Sequence, residues 1–205
     1  MTGMVEQTVF VVDDDAGVRD SISELVESVG LRAEGYASAQ EFLERGQPQR
    51  RGCLVLDVRM PEMSGLVLQR LLKEQGFNLP IIVLTGHGDV PIAVDAMKAG
   101  AFEFLQKPCR DQALLDSIIA ALSHDAATHN ASLAEVDLAR RVSTLTSREV
   151  EVLDLVLAGK TSKHIAQALA MSPRTAETHR RNLLQKLGIA TLKQLLLRMP
   201  ASSRD

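Results

Sequence analysis

Five polar side chains follow short apolar runs of the sequence: Asp13, Asp14, Asp57, Thr85 and Lys107. Short runs of β-branched and aliphatic residues between turn residues are typical of buried strands. In an open α/β sheet the carboxyl ends of parallel strands meet at one edge, where such sheets bind their ligands. We therefore expect three carboxylates, one hydroxyl and one ammonium group to lie close together at that edge.

This set of side chains is suited to phosphoryl transfer onto Asp57. Three converging carboxylates need a cation, and hard oxygen ligands from few side chains favour Mg²⁺. With that cation, the Thr85 hydroxyl and the Lys107 ammonium beside it, the Asp57 carboxylate can attack a phosphoryl group and become an acyl phosphate. Each residue alone also has an ordinary interpretation, as a helix cap or a solvated loop residue, so the prediction rests on their shared position at strand ends.

The elements that must position these residues form five consecutive βα repeats. The predicted strands are residues 8–12, 31–36, 53–57, 79–85 and 101–106, and the predicted helices are 18–29, 39–45, 66–74, 90–99, with Asp89 as N-cap, and 109–122. Near-continuous apolar strands with short connections predict a parallel sheet that helices cover on both faces. The predicted fold class is α/β, a five-stranded, doubly wound, flavodoxin-like domain.

Length and composition limit the other possibilities. A chain of 205 residues is long enough for two domains. No apolar run approaches the roughly 20 residues of a membrane span, and the polar N-terminus is too short for a signal peptide. Two cysteines fit a reducing compartment, so we expect a cytoplasmic protein without membrane contact. An aromatic content of 3% argues against an aromatic-lined pocket for a large ligand.

Charge is distributed unevenly between the two halves of the chain. Residues 1–124 carry 11 basic and 18 acidic side chains, whereas residues 125–205 carry 12 basic and 8 acidic ones. Between residues 158 and 186 there are six basic side chains, and Glu177 is the single acid. An acidic half joined to a basic half predicts a regulatory module attached to one that binds nucleic acid.

The basic half is predicted to be a small helical domain with a helix-turn-helix. Its helix signals are a capping box at Thr146-Ser-Arg-Glu149, an N-cap at Thr161, Ser172-Pro173 before a third helix, Gly188 after it, and Thr191 before a last one. On the third helix, Glu177, Thr178 and Arg181 are predicted to meet base edges in the major groove. The predicted phosphate contacts are Lys163, Arg174, Arg180 and Lys186. A merely solvated helix face is the simpler alternative for this pattern.

The segment 124–144 joins the two halves. It lacks glycine and proline and is rich in Ala, Leu, Arg and Glu, so it is predicted to be a mostly helical linker that can continue the fifth helix. A coil that breaks near Asn130 is the alternative.

The motifs of the acidic half resemble the receiver domain of two-component response regulators of the FixJ type, over residues 5–123. The resemblance is carried by Asp13-Asp14, Leu56-Asp57-Val-Arg-Met-Pro-Glu-Met-Ser-Gly65, Leu84-Thr-Gly-His-Gly-Asp-Val-Pro91 and Lys107-Pro108. It implies that a sensor histidine kinase phosphorylates Asp57. Its further implications are a Mg²⁺ site formed by Asp14, Asp57, the backbone carbonyl of Arg59 and, through water, Asp13; a switch pair of Thr85 and Phe104; and a cis peptide bond at Lys107-Pro108.

Residues 145–197 resemble the LuxR/NarL-type helix-turn-helix, and the proposed domain runs over 145–200. The match includes Leu145-Thr-Ser-Arg-Glu149, Gly159-Lys160, Ile165-Ala166, Ser172-Pro-Arg-Thr175, His179 and Lys186-Leu-Gly188. It implies binding to promoter DNA, with Thr175 among the contacts, and dimerisation through a last helix carrying Leu192, Leu195 and Leu196. Within the FixJ type, the overall likeness is to regulators of aromatic-hydrocarbon breakdown.

Taken together, these features predict a transcription regulator, an activator rather than an enzyme. Phosphorylation of Asp57 is expected to promote homodimerisation, promoter binding and contact with RNA polymerase. Slow autodephosphorylation is expected to return the protein to its inactive state. Two regulators of another kind stay open: one that acts without phosphorylation, and one that senses a small ligand. A phosphatase with an aspartate nucleophile is disfavoured because Arg59, not a second acid, stands two residues after Asp57.

Overall fold

The structure is a computed structural model, and it describes residues 7–86, 90–191 and 193–195. Its five strands are β1 (Thr8–Val12), β2 (Arg32–Tyr36), β3 (Gly52–Leu56), β4 (Ile81–Thr85) and β5 (Glu103–Gln106). All pair in parallel in the order β2-β1-β3-β4-β5. The predicted five-stranded, flavodoxin-like sheet is confirmed.

Eight helices are described: α1 (Ala16–Ser28), α2 (Ala39–Arg45), α3 (Gly65–Glu74), α4 (Val90–Lys98), α5 (Asp111–Ser143), α6 (Ser147–Leu157), α7 (Ser162–Ala168) and α8 (Pro173–Leu187). Helices α2, α3 and α4 pack on one face of the sheet, where Phe10 and Val12 of β1 point. Helices α1 and α5 pack on the other face, where Val9 and Val11 point. Every residue of β1, β3 and β4 is buried, which explains their continuous apolar runs.

Local hydrogen bonds move several helix ends from the predicted positions. Helix α1 starts at Ala16 rather than Val18 because the Asp15 side chain is its N-cap and accepts from the amides of Gly17 and Val18. Helix α5 starts at Asp111 rather than Cys109, because its hydrogen bonds begin at the Arg110 carbonyl, which accepts from the amides of Ala113 and Leu114. The Lys107–Pro108 peptide bond before it is cis. The cis bond is confirmed, whereas the predicted Asp89 cap of α4 lies outside the described residues.

The segment between the two halves is helical. Helix α5 continues to Ser143, so the predicted helical linker belongs to the same helix. The alternative of a coil near Asn130 is wrong, because one asparagine among good helix formers does not interrupt a helix.

The chain divides into two compact units, residues 1–129 and 130–205. The second unit has its own apolar core of Leu138 and side chains from α6, α7 and α8. The predicted capping box at Thr146 and Glu149 is present, and Gly188 ends α8 in the left-handed conformation with a φ of 66°. Residues 193–195 are helical. Among the helices of the described ranges, none is long and apolar enough to cross a membrane.

Candidate functional site

Two of the predicted carboxylates lie side by side at the carboxyl edge of the sheet. Asp13 follows β1 and Asp57 follows β3, and these strands are neighbours with Val12 opposite Leu56. The Asp57 amide donates to the Val12 carbonyl at 2.9 Å, which continues the ladder to the edge. Asp13 is 4% exposed and Asp57 is 7% exposed, so both carboxylates are largely withdrawn from water.

Lys107 joins the two carboxylates. It follows β5, and its Nζ lies 2.5 Å from Asp13 Oδ2 and 2.9 Å from Asp57 Oδ1. The Lys107 amide also donates to the Thr85 carbonyl at 2.8 Å, which fixes the backbone from which the ammonium reaches the acids. The ammonium group of the residue after β5 therefore contacts the carboxylates that follow the neighbouring strands β1 and β3.

Further contacts hold the acids in place. The second oxygen of Asp57, Oδ2, accepts from the Arg59 amide at 2.6 Å. Asp13 Oδ1 accepts from the Asp15 amide at 3.0 Å, and the Asp13 carbonyl accepts from Arg19 Nη1 at 2.7 Å. The predicted contact of Arg59 was its carbonyl, not its amide. Arg19 was not predicted, because nothing in the sequence distinguishes an arginine one turn into a helix from any other helix residue.

The local electrostatics follow from burial and from this pairing. Burial raises the pKa of Asp57 above its usual value, although the hydrogen bond and charge of Lys107 act in the opposite direction. Burial lowers the pKa of Lys107, but the hydrogen bonds and charges of Asp13 and Asp57 outweigh it, and the net pKa is raised. The site thus combines a carboxylate made more basic with a lysine held in its cationic form.

A glycine lets the loop after Asp57 pass close to it. The Gly65 amide donates to the Val58 carbonyl at 2.9 Å as α3 begins. A Cβ at Gly65 would lie 2.1 Å from the Asp57 carbonyl oxygen, far inside van der Waals contact. Only glycine fits there. The loop bounded by Pro61 and Gly65 was the feature of the sequence that indicated this tight approach.

The predicted switch pair lies next to this site. Thr85, at the end of β4, is 1% exposed. Phe104 pairs in register with Val83 and packs, partly buried, against the apolar cluster on the α4 side of the sheet. Phe104 therefore lies on the strand next to Thr85, two residues before Gln106, the register partner of Thr85.

The carboxylates at this edge of the sheet could also hold a magnesium ion. Across the described ranges, no group of three or more His, Cys, Asp or Glu side chains is arranged as a metal site. Asp13 and Asp57 nevertheless offer adjacent carboxylates, and exposed Asp14 follows directly in the chain. Oxygen donors of this kind fit a hard cation that keeps some of its water ligands.

In the second unit, α8 exposes most of the side chains predicted to meet DNA. The exposed members are Arg174, Thr175, Glu177, Thr178, Arg181 and Lys186, and Lys163 is exposed on α7. Arg180 is partly buried and donates to Ser162 Oγ at 2.6 Å. Lys186 forms an ion pair of 2.6 Å with Glu149, a contact that the sequence did not predict.

The predicted dimerisation residues are only partly described. Leu195 is fully buried in the core of the second unit, so in this structure it stabilises that unit instead of forming an exposed surface. Leu192 and Leu196 lie outside the described residues.

Comparison with known proteins supports the families predicted for the two halves of the chain. Residues 9–119 match the family described as response regulator receiver domain, and residues 143–199 match the one described as bacterial regulatory proteins, luxR family. The transcriptional regulatory protein TdiR of Thauera aromatica is 46% identical over 192 residues, covering 92% of this chain and 83% of TdiR. FixJ of Azorhizobium caulinodans is 44% identical over 188 residues, covering 92% of this chain and 89% of FixJ.

A solved structure extends the similarity to the fold. The low-resolution structure of the response regulator StyR matches with a TM-score of 0.78 and 44% identity, covering 94% of this chain and 98% of that one. The resemblance expected from the sequence motifs is therefore confirmed. The chain belongs to the FixJ-type two-component response regulators, in which a receiver domain is joined to a LuxR-type DNA-binding domain to regulate transcription.

Proposed function

We propose that Asp57 is the phosphoacceptor of this regulator and that its phosphorylation controls DNA binding by the LuxR-type domain. The observation that carries the proposal is the Lys107 ammonium, which contacts both Asp13 and Asp57 at the carboxyl edge of the sheet. Proposed boundaries are 5–123 for the receiver, 124–144 for the helical linker and 145–200 for the DNA-binding domain.

In the proposed reaction, an Asp57 oxygen forms a bond to phosphorus as the N–P bond of a phosphohistidine on the sensor kinase breaks. The departing histidine ring keeps the electron pair of that bond and takes a proton from solvent. The Asp57 carboxylate is the nucleophile, and the Lys107 ammonium balances charge on the transferred group. In the proposed autodephosphorylation, a water oxygen bonds to the phosphorus as the bond from phosphorus to the Asp57 oxygen breaks, which releases inorganic phosphate and restores the Asp57 carboxylate.

Asp14, Asp57 and the Arg59 carbonyl are the proposed ligands of Mg²⁺, and Asp13 is proposed to bind it through water. When bound, this ion neutralises charge on the phosphoryl oxygens. Asp13 already shares a cation, Lys107, with Asp57, so its carboxylate is placed to help hold a second positive charge beside the nucleophile.

Thr85 and Phe104 are the proposed switch. The Thr85 hydroxyl contacts the new phosphoryl group, and the Phe104 ring then turns into the space that opens on the α4 side of the sheet. The resulting change of surface promotes a homodimer in which two α8 helices bind adjacent half-sites of promoter DNA. Activation of RNA polymerase in the bacterial cytoplasm is the proposed outcome.

The phosphoacceptor is tested by intact-mass measurement after treatment with acetyl phosphate and Mg²⁺. The wild type is expected to gain one phosphoryl group and Asp57→Asn none. Asp20→Asn is the matched control, because Asp20 is an exposed acid on α1. A phosphoryl group on Asp57→Asn equal in yield to that on the wild type would remove the basis of the proposal.

A further inference from the structure

Arg19 lies on the first turn of α1 and binds the backbone of two acidic residues before it. Its Nη1 donates to the Asp13 carbonyl at 2.7 Å, and its amide donates to the Asp15 carbonyl at 3.1 Å. Arg19 itself is partly buried. One residue therefore holds both ends of the short loop between β1 and α1, and this loop carries Asp13, Asp14 and Asp15.

The donor to the Asp13 carbonyl comes from outside the sheet. The Asp13 amide donates to the Tyr36 carbonyl at 3.2 Å, which continues the ladder between β1 and β2 past its last register pair. After Tyr36 the chain turns into α2, whose N-cap is Ser38. Asp13 is buried, and a buried carbonyl without a donor is unfavourable. The Arg19 guanidinium supplies that donor, and a bond from a charged donor is stronger than one between neutral groups.

Both oxygens of the Asp13 carboxylate are also held. Oδ1 accepts from the Asp15 amide at 3.0 Å, and Oδ2 lies 2.5 Å from Lys107 Nζ. The same Nζ lies 2.9 Å from Asp57 Oδ1. The contacts from Arg19 to the nucleophile therefore pass through one buried residue. The guanidinium fixes the Asp13 backbone, the Asp13 carboxylate fixes the ammonium, and the ammonium contacts Asp57.

A glycine on β2 makes room for the Arg19 side chain. A Cβ at Gly35 would lie 3.7 Å from Arg19 Cδ and 3.8 Å from Arg19 Cβ, so the stem of the arginine passes over this glycine. Glycine inside a strand often marks a close approach of this kind. An alanine at this position would make ordinary van der Waals contact, whereas a larger side chain would occupy the path of the Arg19 stem.

We propose that Arg19 is a positioning residue for the phosphorylation of Asp57. By fixing the Asp13 backbone, Arg19 holds the Asp13 carboxylate where it keeps the Lys107 ammonium beside Asp57 and helps to hold the proposed Mg²⁺. This inference rests on the proposed function. Removing a group that orients the residues around a metal typically changes metal affinity or activity by roughly 10–100-fold.

The test follows phosphorylation of the full-length protein by acetyl phosphate, with intact-mass measurement over time at a series of Mg²⁺ concentrations. Arg19→Met keeps an unbranched apolar stem without a donor, and it is expected to lower the maximal rate by about tenfold. Arg19→Lys keeps a cationic donor and is expected to recover part of that rate. Gly35→Leu displaces the arginine stem and is expected to lower the rate as Arg19→Met does, whereas Gly35→Ala is expected to match the wild type.

Two measurements on the unphosphorylated protein separate positioning from a general loss of stability. In NMR titrations of the ¹⁵N-labelled protein, Arg19→Met is expected to bind Mg²⁺ about tenfold more weakly. The Asp15 amide, which donates to Asp13 Oδ1, is expected to exchange its hydrogen faster. Ile22→Val removes one buried methyl group from α1 and is expected to lower the urea midpoint of unfolding without changing either value. Arg70→Met, at an exposed arginine of α3, is expected to change nothing.

The outcomes distinguish this inference from the proposed function. A phosphorylation rate in Arg19→Met equal to that of the wild type would overturn the inference and leave the proposed function standing. A loss of rate that Ile22→Val reproduces would also overturn the inference, because the loss would then follow from lower stability. If the wild type gains no phosphoryl group, or Asp57→Asn gains as much, the proposed function fails and the inference fails with it.

Discussion

The buried ion pair between Arg51 and Asp125 is predicted to be a main source of stability for the receiver domain. Asp125 of α5 is 7% exposed as a side chain and Arg51, before β3, is 12% exposed. The carboxylate accepts from Arg51 Nε at 2.9 Å, Gln7 Nε2 at 2.8 Å and the Gly52 amide at 3.1 Å. Arg51 Nη2 lies 2.9 Å from its Oδ2 and donates to the Asp125 backbone carbonyl at 3.2 Å. One side chain thus joins α5 to the amino ends of β1 and β3.

Removing one partner leaves the other charge buried and unpaired. We expect Asp125→Leu to lower the free energy of unfolding of the receiver domain by about 3–5 kcal/mol, because it leaves the Arg51 charge buried. Arg51→Met alone is expected to cost a similar amount, because it leaves the Asp125 carboxylate with only the Gln7 and Gly52 donors. The double variant Arg51→Met with Asp125→Leu is expected to be more stable than either single one, since it removes both charges and fills the space with apolar atoms.

The assay is urea unfolding of the full-length variants, followed by hydrogen exchange at receiver amides so that the two domains are read separately. Asp116→Ala, at an exposed acid of the same helix, is the control and is expected to change the free energy of unfolding by less than about 0.5 kcal/mol. Additive losses in the double variant would refute the reasoning, because they would mean that the two side chains do not interact.

Three other outcomes follow from single contacts. Ala170 follows the C-cap of α7 and has a φ of 50°, so Ala170→Gly should stabilise the DNA-binding domain by about 1 kcal/mol in urea unfolding, and a loss of stability would contradict this. Hydrogen bonds from Lys186 and Thr146 lower the pKa of Glu149 to about 2. The stability that this depressed pKa provides is complete above the unfolded value of about 4.3 and is lost as the pH falls through about 2. Lys186→Met should therefore lower the free energy of unfolding of the DNA-binding domain by up to about 1 kcal/mol at pH 7 and by almost nothing at pH 2. An equal loss at both pH values would show that this stability does not come from the ionised Glu149 carboxylate. Gly65→Ala should lower the free energy of unfolding by about 2 kcal/mol and slow phosphorylation of Asp57 by acetyl phosphate, since the new Cβ meets the Asp57 carbonyl; an unchanged rate would contradict this.

The fold could be predicted from the sequence because its signals are local and agree with one another. Continuous apolar runs such as Thr8–Val12 indicate strands that are buried on both faces, and the order of a parallel sheet places Asp13 beside Asp57. Caps that use a side chain and a nearby amide, as at Thr146, were also predictable. The predicted start of α1 was two residues late, at the first apolar residue Val18, because the Asp15 side chain caps the helix before it.

The long-range contacts could not be predicted in the same way. Asp125 was assigned to the linker, since nothing near it in the sequence indicates that Arg51, 74 residues away, would meet it. The Glu149–Lys186 pair likewise depends on how separate helices pack, which periodicity does not determine. The family resemblance assigned Leu195 to dimerisation, whereas it is buried in the core of the second unit, and its helical spacing is compatible with either position.

The most direct test of the central claim is the affinity of the full-length protein for its promoter DNA, with and without the phosphate mimic beryllofluoride in Mg²⁺. The wild type is expected to dimerise and to bind more tightly with beryllofluoride, by about tenfold or more if the two states differ by at least about 1.4 kcal/mol in their affinity for DNA. Asp57→Ala is expected to show neither change. Equal affinity in all four samples would contradict the account and would favour a regulator that acts without phosphorylation.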